Sequence, residues 1–441
     1  MLRGFKFRIY PNKEQKEYFE KVFDCSRFIY NFYLYEKTSF YLKNKDNKEK
    51  PKFRYTSEKV LKEHYNFLKE SDATSLQQER INLDSAFSRF FQNCKNNNRT
   101  NFSEKKLAKL LRKEYKDEVS KYIFLTPDYP KFKKKSDKHK SFRTVMNFKV
   151  NQKNKTVKIP KCSPIKYRDK RIIEGDIRNI TISVNPSEQY FATISVEDKY
   201  IFPAKIENVR ESKVFSADMS AKNFMVSEDV EFENQKFYRS TQRRLKLQQR
   251  RLSRKEKSSK NKDKQKRVVA KHHQKVVDKR TGYQKNLAYK LSMEFDAIVL
   301  EDLNIKGMQQ FNKGLSKTVT QDFSWYDFTA WVDYFCKKQG NHFVKVDRFF
   351  PSSKLCYECG QVKAKEELTL SDRVYKCDCG YEADRDINAC RNIKREGLSI
   401  LKNKGIHLLK KSTFVAEGKL RLSDMNNVSC SGQEAQPFRV G

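Results

Sequence analysis

Residues 378–393, "DCGYEADRDINACRNI", set a Cys-Gly turn directly against a run of carboxylates. Asp384 and Asp386 alternate, Asn388 follows at the same step, and Ala389, Cys390 and Ile393 then fall at helical spacing. Acids at the start of an amphipathic helix complement its dipole, which is by itself a sufficient reason for them. A catalytic reading needs further acids elsewhere in the chain, and the Cys-Gly turn needs further cysteines.

The cysteines are close by. "CYECG" gives Cys356-x-x-Cys359 and "CDCG" gives Cys377-x-Cys379. Thiolates spaced so tightly can take the four tetrahedral vertices of one Zn²⁺, and the glycines that follow Cys359 and Cys379 permit knuckle turns. Four thiolates leave no open vertex, so this zinc is expected to be structural. Cys25, Cys94, Cys162, Cys336, Cys390 and Cys430 have no partner at metal spacing and are read as core or surface thiols.

The chain has 441 residues, with 94 Lys and Arg against 55 Asp and Glu, a formal charge of +39. That excess points to a polyanionic partner, nucleic acid before membrane. No apolar run reaches the ~18 residues of a spanning helix, and "MLRGFKFRIYPNKEQ" has no apolar stretch of a secretory signal. Clustered cysteines in such a chain suit a metal site in a reducing compartment, not a disulfide framework. A cytoplasmic, nucleoid-associated monomer is expected.

"RGFKFRIYP" alternates basic and apolar residues and predicts a strand ended by Pro11, with Asn12 and Gln15 as a capping box for the helix that follows. In "SLQQERINLDSAFSRFF", Leu76, Leu83, Phe87 and Phe90 define a buried helical face, so residues 13–120 read as a helical domain inserted after one strand. "TPDYPKFKKK" marks a boundary, with its lysines, Lys131 and Lys133 among them, expected against phosphate. Short strands follow, including a hairpin turning at "NPSE", and suggest a small β-barrel. Residues 236–290 hold 21 Lys or Arg and 3 Asp or Glu, so +18 of the +39 lies there. Interspersed Leu245, Leu252, Val269, Val276 and Leu287 favour a pair of long helices over a disordered arm, turning at "KEKSSKNKDK". Residues after about 400 read as a loose tail.

Three acids stand at an element's end or start: Asp218 after the apolar run "KVFSA", Glu301 closing "FDAIVLE", and Asp386. Strand–acid, strand–acid, helix–acid can converge on one sheet edge. Converging carboxylates repel unless cations neutralise them. Two Mg²⁺ about 3.5–4 Å apart would do so, activating water and stabilising the leaving oxygen of a phosphodiester. This is the site of an RNase H-like nuclease.

The segments "LRGFKFRIYPNKEQKEYF", "SLQQERINLDSAFSRFF", "YPKFKKK", "DMSAKNF", "VLEDLNIKGM", "FFPSSKLCYECG" and "ELTLSDRVYKCDCGYEADRDINACRNI" resemble the TnpB proteins of bacterial insertion sequences, relatives of the type V CRISPR effectors. The resemblance covers roughly residues 1–400. It implies a multidomain α+β protein: a wedge β-barrel with an inserted helical recognition domain, and an RNase H-like RuvC nuclease domain with a zinc-ribbon insertion. The domains would be residues 1–12 (first wedge strand), 13–120 (recognition), 121–205 (wedge), 206–350 (nuclease, first part), 351–382 (zinc ribbon), 383–400 (nuclease, last part) and 401–441 (flexible tail). It also implies an RNA-guided DNA endonuclease whose guide derives from the transposon end and whose protein reads a short motif beside the target.

By position, the catalytic and magnesium-binding acids fall on Asp218, Glu301 and Asp386, with Asp384 the runner-up for the third. The family often has glycines flanking the first aspartate. Ser216 and Ser220 stand there instead, where a hydroxymethyl is expected to crowd a substrate phosphate. Gln77 and Gln78 fall where the recognition helix faces the flanking motif, and glutamine can pair bidentately with adenine. Arg243, Arg244, Arg250 and Arg251 are expected on RNA phosphates. The partners implied are guide RNA, double-stranded target DNA and single-stranded DNA, with no membrane. A nuclease-inactive guided repressor and an unguided zinc-containing nuclease or transposase-associated protein are the competing readings. The intact triad argues against the first, and a discrete co-purifying RNA would argue against the second.

Overall fold

The computed structural model describes residues 2–49, 51–96, 101–220, 222–310, 322–364, 367–368 and 372–410. The chain forms two compact units, one of Met1–Lys199 and one beginning at Tyr200.

In the first unit, β1 (Leu2–Tyr10) is followed by five helices before the chain returns to strands. Phe5, Phe7 and Ile9 face inward and Lys6 and Arg8 outward, as the alternation requires. Asn12 and Gln15 form the capping box of α1 (Lys13–Asn44), each side chain bonded to the other's backbone N–H at 2.8 Å. Helices α2 (Glu58–His64), α3 (Ala73–Lys95), α4 (Glu104–Leu111) and α5 (Glu118–Leu125) follow. Leu76, Leu83, Phe87 and Phe90 of α3 are buried against Ile29, Tyr33 and Leu34 of α1.

The strands β2 (Lys140–Thr144), β3 (Lys149–Asn151), β4 (Thr156–Lys158), β5 (Ile165–Tyr167), β6 (Asp176–Val184) and β7 (Tyr190–Glu197) join β1 in one sheet, ordered β2-β6-β7-β1-β5-β4-β3. β6 and β7 are a hairpin turning at Asn185–Glu188, where Asn185 Oδ1 accepts from the N–H groups of Ser187 and Gln189. Among the described residues the sheet is open, with β2 and β3 as its edges, so the barrel expected from strand spacing is met only as a seven-stranded sheet.

The second unit is built on three parallel strands ordered β13-β12-β9, namely β9 (Val214–Ala217), β12 (Ala297–Glu301) and β13 (His342–Val346). β8 (Asn208–Arg210) precedes them, and between them lie the hairpin β10 (Met225–Val226) and β11 (Glu231–Phe232) and helices α6 (Phe237–Ser253), α7 (Lys260–Glu294), α8 (Ile305–Gln310) and α9 (Trp325–Gln339). After β13 come β14 (Val374–Lys376), β15 (Glu382–Asp384), α10 (Arg385–Asn403) and β16 (His407–Leu409).

The run "AIVL" before Glu301 is apolar throughout because both faces of its strand are buried. Ile298 and Leu300 pack with Tyr283, Leu287 and Leu291 of α7 and Phe328 and Val332 of α9. Ala297 and Val299 pack on the other face with Ile393 and Leu401 of α10. α9 is closed by Gly340 at φ 77°, a left-handed position where a Cβ would also meet the Ala204 carbonyl at 2.7 Å.

The expected tail is corrected at its start. Leu401 is fully buried, α10 runs to Asn403, and β16 pairs in parallel with β8. "HLL" is too short for its period to show in sequence, and its partner strand lies about two hundred residues upstream. Residues 411–441 lie outside the described residues.

Candidate metal and nucleic-acid site

Leu300 of β12 pairs with Ala217 of β9, so Glu301 and Asp218 stand one residue further on at the same level of adjacent parallel strands. Such strands lie about 4.8 Å apart. Asp218 exchanges both backbone hydrogen bonds with Val226, at 2.9 and 2.8 Å, which fixes it between the sheet and the β10–β11 hairpin. Two residues before it, the buried Ser216 hydroxyl lies 3.1 Å from both the carbonyl and the Sγ of Cys390 on α10. Asp386 is one helical turn ahead of Cys390 on the same face. The Ser216–Cys390 contact therefore registers the helix so that its first turn meets the strand ends. The Ser216 hydroxyl is spent on this contact and does not stand free to crowd a phosphate, as its sequence position had suggested.

Asp384 is the N-cap of α10, accepting from the N–H groups of Asp386 at 2.8 Å and Ile387 at 3.2 Å. One carboxylate of the motif is thus occupied with the helix end, and Asp386 is the one carried inside the first turn.

Asp218 feels both of the other acids. Burial, then the charges of Glu301 and Asp386, push the Asp218 carboxyl up to about 8. Burial raises Glu301 too, opposed by a hydrogen bond from the Ser352 hydroxyl. Asp386 is raised by burial and by Asp384, against Arg373 and Arg385. A carboxyl raised by burial and by neighbouring carboxylates is one whose charge a nearby cation would stabilise.

Next to this lies the cysteine cluster. The Sγ atoms of Cys356, Cys359, Cys377 and Cys379 are all within 4.8 Å of one another, with Cys356–Cys379 at 3.7 Å and Cys359–Cys377 at 3.6 Å. A tetrahedral Zn²⁺ with Zn–S bonds of about 2.3 Å sets its sulfurs about 3.8 Å apart, so the four thiols fit that ion. Both knuckles close through backbone bonds, Gly360 N to Cys356 O at 3.0 Å and Gly380 N to Cys377 O at 2.9 Å. Their glycines take φ of 78° and 89°, which disfavours any side chain.

Two buried asparagines clamp this ribbon to α10, a feature the sequence reading missed. Asn388 Nδ2 donates to Leu355 O at 2.9 Å while its Oδ1 accepts from Tyr357 N at 3.2 Å. Asn392 Nδ2 donates to Leu355 O at 2.6 Å and Ser352 O at 2.9 Å. The helix that carries Asp386 thus also holds the segment that carries Ser352 and Cys356. The signal was present in "DINACRN", where two amides four residues apart fall on the apolar face of an amphipathic helix.

The other expected contacts are scattered. Gln77 is exposed on α3, whereas Gln78 is buried. Lys131 is not an open phosphate contact. Its ammonium donates to the carbonyls of Ile123 and Thr126 at the end of α5, and burial lowers it to about 8. Lys133 is 2.5 Å from the buried Glu79 carboxylate and sits over the Tyr30 ring. Arg243, Arg244, Arg250 and Arg251 are all exposed on α6, available to an anionic partner.

Family models match three stretches: a "Helix-turn-helix domain" at residues 1–46, a "Probable transposase" at 191–312 and a "Cas12f1-like, TNB domain" at 325–393. Two relatives, each named "Putative RNA-guided DNA endonuclease", match nearly the whole chain. The one from Streptomyces pristinaespiralis is 29% identical over 90% of this chain and 90% of its own. The other, designated InsQ, from Escherichia coli, is 26% identical over 91% of this chain and 93% of its own. A solved structure titled "Cryo-EM structure of the Cas12f1-sgRNA-target DNA complex" covers 89% of this chain and 99% of its own at 14% identity, with a TM-score of 0.32, too low to carry a fold assignment. These matches define the class: transposase-type proteins with a Cas12f1-like TNB domain. Within it, the chain is similar to the TnpB proteins. Among the described residues no helix is long and apolar enough to cross a membrane.

Proposed function

We propose that this protein is an RNA-guided DNA endonuclease that cuts phosphodiesters at Asp218, Glu301 and Asp386. The observation that carries the reading is that Asp218 and Glu301 end adjacent parallel strands, and that Asp218 feels the charges of both Glu301 and Asp386. The strand pattern agrees with an RNase H-like domain: β9 pairs in parallel with β12 on one side and continues through Asp218 into the antiparallel β10–β11 hairpin on the other. The names of the two nearly full-length relatives support a guided DNA substrate.

Two Mg²⁺ held by the three carboxylates would supply the activated water and the stabilisation of the leaving oxygen. The chain's own contribution is positional. Ser352 orients Glu301, the Val226 pairing fixes Asp218, and the Asp384 cap and Cys390 contact set the height of Asp386. Cys356, Cys359, Cys377 and Cys379 would hold one structural Zn²⁺. The exposed arginines of α6 would grip guide-RNA phosphates, leaving base pairing to supply sequence specificity.

The test is to sequence the RNA that co-purifies with the protein and offer a matched plasmid. Asp218→Ala should retain guided binding and lose cutting. Asp386→Asn should be the more severe lesion and Asp384→Asn the milder, because asparagine also caps a helix. Wild-type nicking by Asp218→Ala would refute the triad, and the reverse order of the two asparagines would move the third role to Asp384.

A further inference from the structure

Phe349, 85% exposed, is the most exposed aromatic ring among the described residues. A ring on a slack loop would fold back onto apolar surface, but this one stands on a turn without slack. Phe349 N donates to Asp347 Oδ1 at 2.8 Å, Phe350 N to Asp347 O at 3.0 Å, and Ser352 N to Phe350 O at 2.8 Å. Pro351 removes further backbone freedom. At the far end the turn is anchored three ways. Phe350 packs on the core, Asn392 holds the Ser352 carbonyl, and the Ser352 hydroxyl donates to Glu301. The backbone that carries the ring is therefore held at a fixed place, three residues from a direct contact with the carboxylate site.

Its near neighbours in the chain include two cations, Arg348 and Lys345, and one acid, Asp347. Arg348 and Lys345 reach the two oxygens of Asp302 at 2.7 and 3.3 Å, and both side chains remain 43% exposed. An exposed ring beside two part-exposed cations matches how proteins hold single-stranded nucleic acid, with a base on the ring and phosphates on the cations. A duplex offers no such base, because its π-faces are already stacked.

We propose that Phe349 is a stacking platform that seats one base of the single DNA strand presented to the carboxylate site. This rests on the nuclease reading above. The contact is sequence-tolerant, because every base has a π-face.

The test uses the full chain with its co-purified RNA and its zinc, without added Mg²⁺ so that nothing is cut. The probe is a mixed-sequence single-stranded oligodeoxynucleotide carrying 2-aminopurine. Phe349→Ala should bind about tenfold more weakly and lose the stacking quench, Phe349→Trp should keep both, and Phe349→Leu should fall with alanine. Thermal midpoints should not move, since the ring contributes nothing to the core. With Mg²⁺ restored, Phe349→Ala should raise KM for single-stranded DNA and leave kcat nearly unchanged. Binding by Phe349→Ala within twofold of wild type, or full binding by Phe349→Leu, would overturn the proposal. So would loss of the co-purified RNA with oligodeoxynucleotide binding intact, which would assign the ring to RNA. If wild-type protein cuts no DNA, the nuclease reading fails, and the oligodeoxynucleotide comparison still decides the platform.

Discussion

Ser352 is 6% exposed and gives its hydroxyl to Glu301 Oε1. A hydrogen bond to a charged group contributes about 1.5–3 kcal/mol, so Ser352→Ala should lower kcat at least about tenfold, with Ser352→Thr restoring most of it. Calorimetric titration with Mn²⁺ should show weaker binding to the alanine variant alone, which a merely structural lesion would not produce. Asp218 makes a second prediction, in the Mg²⁺-free protein. Its folded pKa is raised to about 8 from an ordinary value near 3.8. Its contribution to stability is therefore fully present below the ordinary aspartate range and lost as the pH rises towards about 8, with a slope of at most one proton, about 1.4 kcal/mol per pH unit. Thermal midpoints of the zinc-loaded protein without added Mg²⁺ should fall across that window, Asp218→Asn should flatten the fall, and added Mg²⁺ should reverse it.

Among the elements, α10 touches the most parts of the site, and its fit against the sheet is close. A Cβ on Gly397 would lie 2.5 Å from both γ-carbons of Val299 on β12. Gly397→Ala must push the helix away or strain it, at a cost of about 1–3 kcal/mol. The thermal midpoint should drop, and cutting should drop with it because Asp386 rides on the same helix. The ribbon makes a parallel case. Among the described residues of 351–382 the buried cluster is small, around Cys356, Leu368 and Tyr375, too little to fold without a metal. Cys356→Ser should lose the one zinc found by metal analysis and also lose cutting, because Asn388 and Asn392 can no longer seat the ribbon on α10. RNA retention should persist, since the arginines of α6 do not depend on the ribbon. A zinc-free variant that cuts normally would uncouple the two.

At the scale of the whole molecule the governing quantity is the charge of +39, concentrated on α6 and α7. Leu245, Val276 and Leu287 are buried and turn the basic face outward. Reversing Arg243, Arg244, Arg250 and Arg251 to Glu should weaken RNA retention and flatten its salt dependence, by roughly 0.7–0.9 in the log–log slope for each phosphate that is no longer neutralised. Filter binding across a salt series measures this. Unchanged binding near 0.15 M salt (roughly physiological) would mean these side chains face only solvent.

The elements that are local events were readable in the chain. The Asn12–Gln15 box, the hairpin at Asn185–Glu188, the close of α9 at Gly340 and the pairing of Cys356-x-x-Cys359 with Cys377-x-Cys379 each depend on residues a few positions apart, where spacing and backbone preference carry the information. The three acids could be picked out because each ends or begins a periodic segment. Tertiary structure alone decided what those acids and their neighbours touch. Ser216 meets Cys390 across 174 residues, Ser352 meets Glu301 across 51, and β16 meets β8. It also gave Lys131 and Lys133, expected against phosphate, partners within the protein: the carbonyls at the end of α5 for one and the buried Glu79 carboxylate for the other. Composition fixes how many charges a chain has. Which of them reach solvent depends on the partners that packing brings alongside, and that information is not local.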